Sequence, residues 1–371
     1  REFASAAARW FHLTEMELRP EIVALCNRTP QKMEWFREHC PALTQVTTDY
    51  RELLTNPDVD AVYIALPHNL HEETYVAAIE AGKHLMGEKP FGIDLPANAA
   101  INDAIASHPD VFVRCVSQFP FFPGVQRIGR MLEAGSFGRI LEVECGFLHS
   151  SDLNPNKPIN WKRKIAVNGE YGCMGDLGMH TLHVPFRAGW YPRDVRAALS
   201  NIVTERPDGS GGTSACETWD NATLLCTVPA RDDNDTAYEF PMTVKTHRIA
   251  PGERNTWYLE ILGSTASARW SSKRPNTLEV LEYSGGEQAW QLVEMGHEMT
   301  HPVITPAIFE VGASDAFLQM WAAFLYELHH GVPALRFAGC VTPQEAAASH
   351  RLFTAALRSQ AERSVVEVDR L

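Results

Sequence analysis

Short apolar segments alternate with segments of helical spacing over residues 20–120. Between the apolar segments, hydrophobic side chains recur every three or four residues, and Gly82 stands where one predicted helix ends. The apolar segments are Glu21–Cys26, Asp60–Pro67, Lys83–Glu88 and Val111–Phe119. This alternation predicts a doubly wound parallel sheet, with a nucleotide at the carboxyl ends of its strands.

The pattern changes after residue 120. One predicted helix leads into β-type segments that continue to about residue 295, separated by glycine and proline. Strands that follow one another without helices predict a largely antiparallel sheet. Within this region Pro207–Ala215 is predicted, from its composition, to be a surface loop. Helical spacing returns at Ser314–Gly331 and Thr342–Arg363.

Composition narrows the function classes. The 371 residues are 45% hydrophobic and 21% charged, which is enough apolar material for two cores. A formal charge of -13 and the lack of a long basic cluster argue against nucleic acid. No apolar stretch approaches the roughly 18 to 20 residues of a membrane span, so we expect a cytoplasmic protein. The eight cysteines are scattered and no His-Glu-x-x-His motif occurs, so no metal is predicted.

An acid and an ammonium group, Glu88 and Lys89, stand between a buried segment and Pro90. A lysine at the carboxyl end of a parallel strand can orient a substrate hydroxyl and favour its deprotonation. The alternative is a solvated Glu–Lys pair at a strand end. From the residues alone, both interpretations stay open.

Asp176 and His180 are four residues apart, which would place both on one face of a helix. An imidazole that titrates near neutrality is a suitable proton acceptor for a sugar hydroxyl, and a nearby carboxylate can orient it or hold the substrate. Acid–histidine pairs at this spacing also occur on helices that have no catalytic role. His183 is expected to be structural.

Two stretches together resemble the Gfo/Idh/MocA family of nicotinamide-dependent sugar oxidoreductases: IALPHNLHEETYVAAIEAGKHLMGEKP (Ile64–Pro90) and GDLGMHTLH (Gly175–His183). The resemblance covers nearly the whole chain. It implies an α/β fold with a Rossmann-type dinucleotide-binding domain at 1–120. An α+β domain with a large, mainly antiparallel open sheet would follow at 121–371, for substrate binding and homo-oligomerisation as a dimer or tetramer. The family's first strand and G-x-G-x-x-G turn are not in the sequence, and we expect them upstream of Arg1.

The resemblance also implies roles for individual residues. Lys89, His180 and Asp176 would form the catalytic set, with His180 as general base in oxidation and general acid in reduction. Pro90 would fix the turn that aims Lys89, often as a cis peptide in the relatives. The residues expected to line the NAD(P) site are Asn27, Arg28, Pro67, Asn69, His71, Glu88, Lys89 and Pro90.

Two of these cofactor residues leave alternatives open. Where many NAD-binding relatives place an acid after the second strand, this chain has Asn27-Arg28, which permits NADP without excluding NAD. NAD is the default expectation. His71 could face the nicotinamide ribose or be a helix residue with no ligand.

The loop NPNKPINWKRK (Asn154–Lys164) is basic within an acidic chain. An indole can pack against the C–H face of a sugar, and Lys and Arg bind hydroxyls or an anionic group. The loop therefore suggests a sugar or glycoside with a carboxylate, sulfonate or phosphate; the alternative is a subunit contact. The expected substrate-binding residues are Lys89, Trp161, Lys162, Arg163, Asp176, His180 and Tyr258, with His149 and Asp152 as weaker candidates.

Three functions are compatible with these residues. The first is reversible hydride transfer between nicotinamide and a sugar ring carbon. The second is an NAD-dependent glycoside hydrolase, which oxidises C3 transiently, eliminates the aglycone and returns the hydride. The third is a sensor or binding protein on the same fold, which the presence of Lys89, Asp176 and His180 disfavours.

Overall fold

The computed structural model describes residues 1–232 and 234–368. Its first part contains short strands and the helices that connect them. The strands are β1 (Ala24–Cys26), β2 (Gln45–Thr47), β3 (Ala61–Ile64), β4 (His84–Gly87) and β5 (Val113–Cys115). The helices are α1 (Glu2–Ala8), α2 (Glu34–His39), α3 (Tyr50–Leu54), α4 (His71–Glu80) and α5 (Leu95–Ser107).

Every strand pairing in this part is parallel, as the alternating pattern predicts. β4 lies between β3 and β5, and β1 pairs with β2 in a separate sheet. The predicted strand Val111–Phe119 is longer than the observed β5, and its last residue, Phe119, begins a 3₁₀ turn. The parallel arrangement confirms the Rossmann-type fold.

Local sequence signals set the helix ends near β4. Helix α4 is followed by Gly82, whose φ of 73° is unstrained only without a Cβ atom. Helix α5 begins after Asp94, whose carboxylate accepts a hydrogen bond from the backbone N–H of Ala97. Between these helices β4 is buried, so the chain leaves the sheet core directly at Glu88.

The second part is built on one large mixed sheet. The strands of the second part are β6 (Ile140–Leu148), β7 (Asp194–Ser200), β8 (Glu205–Pro207), β9 (Thr213–Ala215), β10 (Asn221–Arg231), β11 (Ala237–His247), β12 (Thr256–Gly263), β13 (Ala266–Ser271), β14 (Thr277–Glu282), β15 (Gln291–Glu294) and β16 (Val366–Glu367). Its helices are α6 (Pro123–Glu133), α7 (Ile165–Asn168), α8 (Met179–Arg187), α9 (Ala313–His330) and α10 (Pro343–Glu362).

Among the described residues, nine strands form this sheet in the order β15-β14-β13-β12-β6-β11-β10-β7-β16. The β6–β11 pair is parallel and the other pairs are antiparallel, which confirms the predicted, mainly antiparallel open sheet. One local prediction was wrong: β8 and β9 pair in a hairpin, so only 208–212 of the predicted surface loop is its turn.

One face of the large sheet is covered and the other is open. Along β10 the side chains of Ala222, Leu224 and Cys226 are buried, whereas that of Leu225 is 52% exposed, as expected for a strand with period two. Helix α8 packs against β6 and β12, and α10 packs against β7. Helix α10 also contacts α5 and β5, so it joins the two parts of the molecule.

Three general features complete the fold. Within 1–232 and 234–368, no helix is both long and apolar enough to cross a membrane. The same residues contain no group of three or more His, Cys, Asp or Glu side chains placed to hold a metal ion. All eight cysteines are free thiols.

Candidate active site

The lysine predicted at the end of β4 is held in a fixed turn. The backbone N–H of Glu88 donates to the carbonyl of Ile64, and the hydroxyl of Tyr75 donates to the carbonyl of Glu88. The Lys89–Pro90 peptide bond is cis, as the resemblance implied. The His350 Nε2–H, from α10, donates to the Pro90 carbonyl over 2.7 Å. Both parts of the molecule therefore fix the direction of Lys89.

Lys89 reaches across to Asp176. Its Nζ donates to the Asp176 carboxylate Oδ1 and to the Asp176 backbone carbonyl, each over 2.7 Å. Asp176 lies in a π-helical turn, Met174–Gly178, that runs directly into α8. The predicted continuous α-helix is thus a π turn followed by an α-helix, and such turns are frequent at functional sites.

Two further cations contact the same carboxylate. The Lys162 Nζ donates to both carboxylate oxygens of Asp176 over 3.0 Å, and the Arg248 guanidinium donates to Oδ2. The Asp176 side chain is 3% exposed, whereas those of Lys89 and Lys162 are 17% and 32% exposed. We call these three cations and the Asp176 carboxylate the Asp176 cluster. Because its two lysine side chains are partly exposed, the cluster is accessible to solvent on their side.

His180 is buried beside this cluster. Its Nδ1 is 3.1 Å from the Ser117 hydroxyl, which follows β5, and the Trp257 indole N–H donates to the His180 carbonyl. The rings of Phe119 and Phe147 meet the imidazole at nearly right angles. The fixed Nδ1 partner leaves Nε2 as the nitrogen for proton exchange.

Burial and mutual repulsion lower the proton affinities of these groups. Burial lowers the pKa of Lys89 to about 8, and Glu88 partly opposes this shift. Burial, with repulsion from Arg248 and Lys89, lowers the pKa of Lys162, whereas its contacts with both carboxylate oxygens of Asp176 favour the charged ammonium form. Burial and the charge on Lys89 hold the pKa of His180 well below 6.5. At neutral pH His180 is therefore a neutral acceptor beside a mostly protonated Lys89.

A second ionic network lies behind the cluster. Arg163 forms ion pairs with Asp152 and with Asp220, and all three side chains are at most 2% exposed. Lys157 also pairs with Asp152, over 2.8 Å. Arg163 is thus enclosed and has no exposed atoms with which to meet a ligand.

The structure brings some predicted substrate residues to the Asp176 cluster and separates others from it. Trp161 lies 5.1 Å from His68 between ring centroids, beside Lys162. Tyr258 lies on the open face of the sheet, where its hydroxyl donates to Glu144. It faces away from the cluster because the preceding residue, Trp257, points toward α8.

His149 lies near the Asp176 cluster, although its Nδ1–H donates to the Arg254 carbonyl. Burial and the charge of Arg248 lower the pKa of His149 to about 4. Asp152, the other weaker candidate, lies in the buried network with Arg163. Both influence the acid–base groups, because His149 contributes to the lowered pKa of His180 and the charge of Asp152 opposes the lowering of the pKa of Lys162.

The predicted cofactor residues follow β1, β3 and β4. The Asn27 amide accepts from the backbone N–H of Thr29, and Arg28 is exposed. Pro67 is half-buried and Asn69 exposed, directly after β3. His71 differs, because its ring is fully buried, with Nε2 donating to the Leu66 carbonyl and Nδ1 facing the Gly92 N–H. The structure gives His71 a role in supporting this turn.

Sequence reasoning missed Arg248 and Ser117. Arg248 follows directly on β11, far from Asp176 along the chain, and no spacing relates the two. Ser117 follows two residues after β5, at the strand's carboxyl end. The rule that parallel strands present functional groups at that end could have identified Ser117.

Comparisons with known proteins agree with this architecture. Residues 2–114 match the profile described as the Gfo/Idh/MocA oxidoreductase family, NAD-binding Rossmann fold. Residues 125–269 match the Gfo/Idh/MocA C-terminal domain. Together the two ranges cover more than half of the chain.

The curated relatives include sugar dehydrogenases. Levoglucosan dehydrogenase of Pseudarthrobacter phenanthrenivorans is 30% identical over 240 residues, covering 63% of this chain and 61% of the relative. D-xylose 1-dehydrogenase (NADP+) of Hypocrea jecorina is 25% identical over 225 residues, 57% of this chain and 55% of the relative. The chain's matches thus span about three-fifths of these relatives or less.

Solved structures share the fold over all or most of the chain. Levoglucosan dehydrogenase in complex with NADH and L-sorbose superposes with a TM-score of 0.85 at 23% identity, over 100% of this chain and 96% of that one. An inositol dehydrogenase homologue from Azotobacter vinelandii, complexed with NAD+, gives 0.70 at 21% identity, over 89% and 83%. With both domains matched and this two-domain fold, the chain belongs to the Gfo/Idh/MocA family.

Proposed function

We propose that this chain is an NAD(P)-dependent oxidoreductase that transfers a hydride between nicotinamide and a ring carbon of a sugar or glycoside. The observation that carries the proposal is the contact between the Lys89 ammonium of the first domain and Asp176 of the second. The contact joins the two domains beside the buried base His180, which lies one helical turn along the chain from Asp176.

In the proposed reaction the chain's residues manage the proton. The Lys89 ammonium donates a hydrogen bond to the substrate oxygen and stabilises the negative charge that develops on it during oxidation. Neutral His180 accepts the hydroxyl proton at Nε2 and returns it in the reductive direction. Asp176 holds the Lys89 ammonium in place and is a positioning residue in this scheme.

Several residues fit a bound dinucleotide. Asn27 follows the carboxyl end of β1, and the exposed Leu66 and Asn69 follow the carboxyl end of β3, where dinucleotides bind in parallel sheets. The nicotinamide of NAD(P), when bound, would supply the hydride acceptor or donor. Arg28 in place of an acid is compatible with NADP as well as NAD. We therefore propose NAD as the default cofactor, with NADP accepted.

The names of relatives support a sugar substrate. The relatives named above act on levoglucosan and D-xylose, and one solved relative holds L-sorbose. We extend only the chemical class, a polyhydroxylated ring, to this chain. A homo-oligomer formed through the open sheet face stays part of the proposal, and size-exclusion chromatography with light scattering tests it.

A second function has a specific observation in its favour. Glycosyl hydrolase family 109 protein 1 of Phocaeicola vulgatus is 29% identical over 179 residues, covering 45% of this chain and 36% of that protein. In a redox-assisted hydrolase, transient oxidation at C3 acidifies the adjacent C–H, the aglycone leaves by elimination, water adds, and the hydride returns. The same Lys89 and His180 would serve both outcomes.

One experiment separates the two functions. Purified protein is incubated with neutral and acidic sugars and their nitrophenyl glycosides in the presence of NAD or NADP, while reduced nicotinamide and free nitrophenol are recorded together. A dehydrogenase accumulates reduced nicotinamide in proportion to substrate consumed. A redox-assisted hydrolase releases nitrophenol without net reduction. If no substrate of the panel gives either signal, both functions are contradicted.

A further inference from the structure

The Asp176 cluster contains more positive than negative charge. Lys89, Lys162 and Arg248 all contact the single carboxylate of Asp176. The next carboxylate, Asp152, is 3.7 Å from Arg248, but it already pairs with Arg163 and Lys157. The second network therefore balances itself and leaves the excess at the Asp176 cluster uncompensated.

The excess of positive charge at the Asp176 cluster persists when Glu88 is included. The Glu88 carboxylate accepts from the Tyr63 hydroxyl over 2.8 Å. Counting it, two carboxylates face three cations. Removing like charges from water without a counter-ion is unfavourable, so a site that only needed to hold Asp176 ionised would require fewer cations.

The exposed fraction of the side chain differs among the three cations of the Asp176 cluster. The Arg248 side chain is 5% exposed, that of Lys89 is 17% exposed, and that of Lys162 is 32% exposed. Arg248 therefore contributes a fixed positive field from behind, whereas Lys162 is accessible. Lys162 also lies within 5.6 Å of the Trp161 ring centroid, a flat apolar surface for a sugar ring.

The structure separates Lys162 from the other basic residues of its loop. Lys157 and Arg163 are neutralised by Asp152 and Asp220. Lys164 turns outward and pairs with Glu217 over 3.0 Å. The loop's basic residues therefore do not form a general positive patch, and among them Lys162 alone contacts Asp176.

We propose that Lys162, supported by the field of Arg248, binds an anionic group of the sugar substrate, either a carboxylate or a phosphate ester. The proposal rests on the function proposed above and adds the substrate's charge class. A bound anion would supply the missing negative charge, and the ammonium of Lys162 would pair with it in a partly desolvated site. Lys89 would stay free for the reacting hydroxyl.

Matched substrates test this proposal. Holoprotein is assayed with methyl β-glucoside against methyl β-glucuronide, and with glucose against glucose 6-phosphate, in the wild type, Lys162→Met and Lys164→Met. We expect the anionic member of one pair to have the higher kcat/KM. Lys162→Met should lower the anionic-to-neutral ratio by about tenfold to a hundredfold, the effect of a lost charged hydrogen bond. Lys164→Met, a lysine of similar exposure on the same loop, should leave the ratio unchanged.

The two substrate pairs distinguish a carboxylate from a phosphate ester as the anionic group. Preference within the glucoside pair identifies a carboxylate, and preference within the glucose pair identifies a phosphate ester. A ratio of one or less in the wild type, or a ratio that Lys162→Met does not change, would overturn the proposal.

A binding measurement makes failure of the site distinguishable from failure of the reaction. Calorimetric titration of the NADH-loaded protein with glucuronate, glucose 6-phosphate and glucose reads the anion site without turnover. Selective binding of an anion that Lys162→Met abolishes, with no nicotinamide reduction by any sugar, would support the site and contradict the oxidoreductase function. Turnover of neutral and anionic sugars at equal rates would support the oxidoreductase function and contradict the anion site.

Discussion

Asp176 and Asp152 are both buried carboxylates that contact several cations, yet they belong to regions of different character. The partners of Asp152 include Arg163, which is fully enclosed and has a second carboxylate partner in Asp220. The partners of Asp176 include Lys89 and Lys162, which keep exposed surface. In the first region Arg163 and its two carboxylates are enclosed and only Lys157 keeps exposed surface, whereas in the second region two of the three cations that contact Asp176 are partly exposed.

The difference teaches how to separate a structural ion network from a site when both use the same residue types. Burial and charge are shared by the two regions. The Asp152 network, however, draws all of its members from the second domain, whereas Lys89 comes from the first. A contact between domains that retains solvent access can be completed by a ligand, and the enclosed pairs of Arg163 with Asp152 and Asp220 cannot.

Lys89→Met gives the largest expected effect on activity. The variant removes the ammonium that faces the substrate oxygen, and we expect turnover to fall by about a hundredfold to ten-thousandfold. Asp176 keeps Lys162 and Arg248, so the melting temperature should stay close to that of the wild type. Initial rates and differential scanning fluorimetry measure the two quantities. Wild-type rates in Lys89→Met would contradict the proposed mechanism.

Arg163→Met is expected to affect stability instead. The change leaves the buried Asp220 carboxylate without its cation and should reduce the free energy of unfolding by about 3–5 kcal/mol. Urea denaturation gives this value. Lys157→Met is the control, because its side chain is 39% exposed and its pair with Asp152 should contribute below about 1 kcal/mol. Equal effects of both changes would contradict the distinction between enclosed and exposed partners.

Ser117→Ala is expected to reduce kcat about tenfold with a smaller change in KM, because one hydrogen bond to His180 Nδ1 is lost. The acidic limb of the pH profile should also shift, since that bond influences the tautomer of His180. Ser117→Thr, which keeps a hydroxyl, should restore part of the activity. Ser349→Ala is the control, because this equally buried serine donates to the Glu345 carbonyl away from the cleft. A loss of stability without a shift in the pH profile would indicate a purely structural role.

The smallest expected effect is on the alkaline limb of the pH profile. Burial lowers the pKa of Lys89 to about 8, so the active ammonium is present below this pH and is lost as the pH rises through it. Between pH 7 and 8.5, kcat/KM for oxidation should fall by about fourfold for this reason. Lys89→Arg keeps its charge over this range, so its residual activity should not show the decline. An alkaline limb that persists in Lys89→Arg would assign it to another group.

Much of the architecture could be predicted because it depends on local periodicity. Apolar runs of strand length and helical spacing predicted the parallel part, and consecutive β-type segments predicted the open sheet. The hairpin at Glu205–Ala215 was missed because its glycine-rich composition hides the register between β8 and β9. Composition describes a loop tip well, but it does not identify the strands on either side of it.

The site was predicted less completely, for reasons visible in particular residues. Lys89, Asp176 and His180 belong to recognisable motifs, and the structure brings them to one place. Arg163 and Tyr258 were included because they lie near those motifs or on a suitable strand. The direction of a side chain depends on the facing elements, and these enclose Arg163 and turn Tyr258 to the open face of the sheet.

The sequence alone determined the class of fold and the chemical types available, a lysine after a buried parallel strand and an acid–histidine pair in the second domain. Only the tertiary structure decided which charges meet. Arg248 contacts Asp176 across 72 positions of sequence and Lys89 contacts it across 87. Local periodicity fixes helices and strands because it acts over a few residues, whereas the charge balance of a cleft is a sum over residues that only folding brings together.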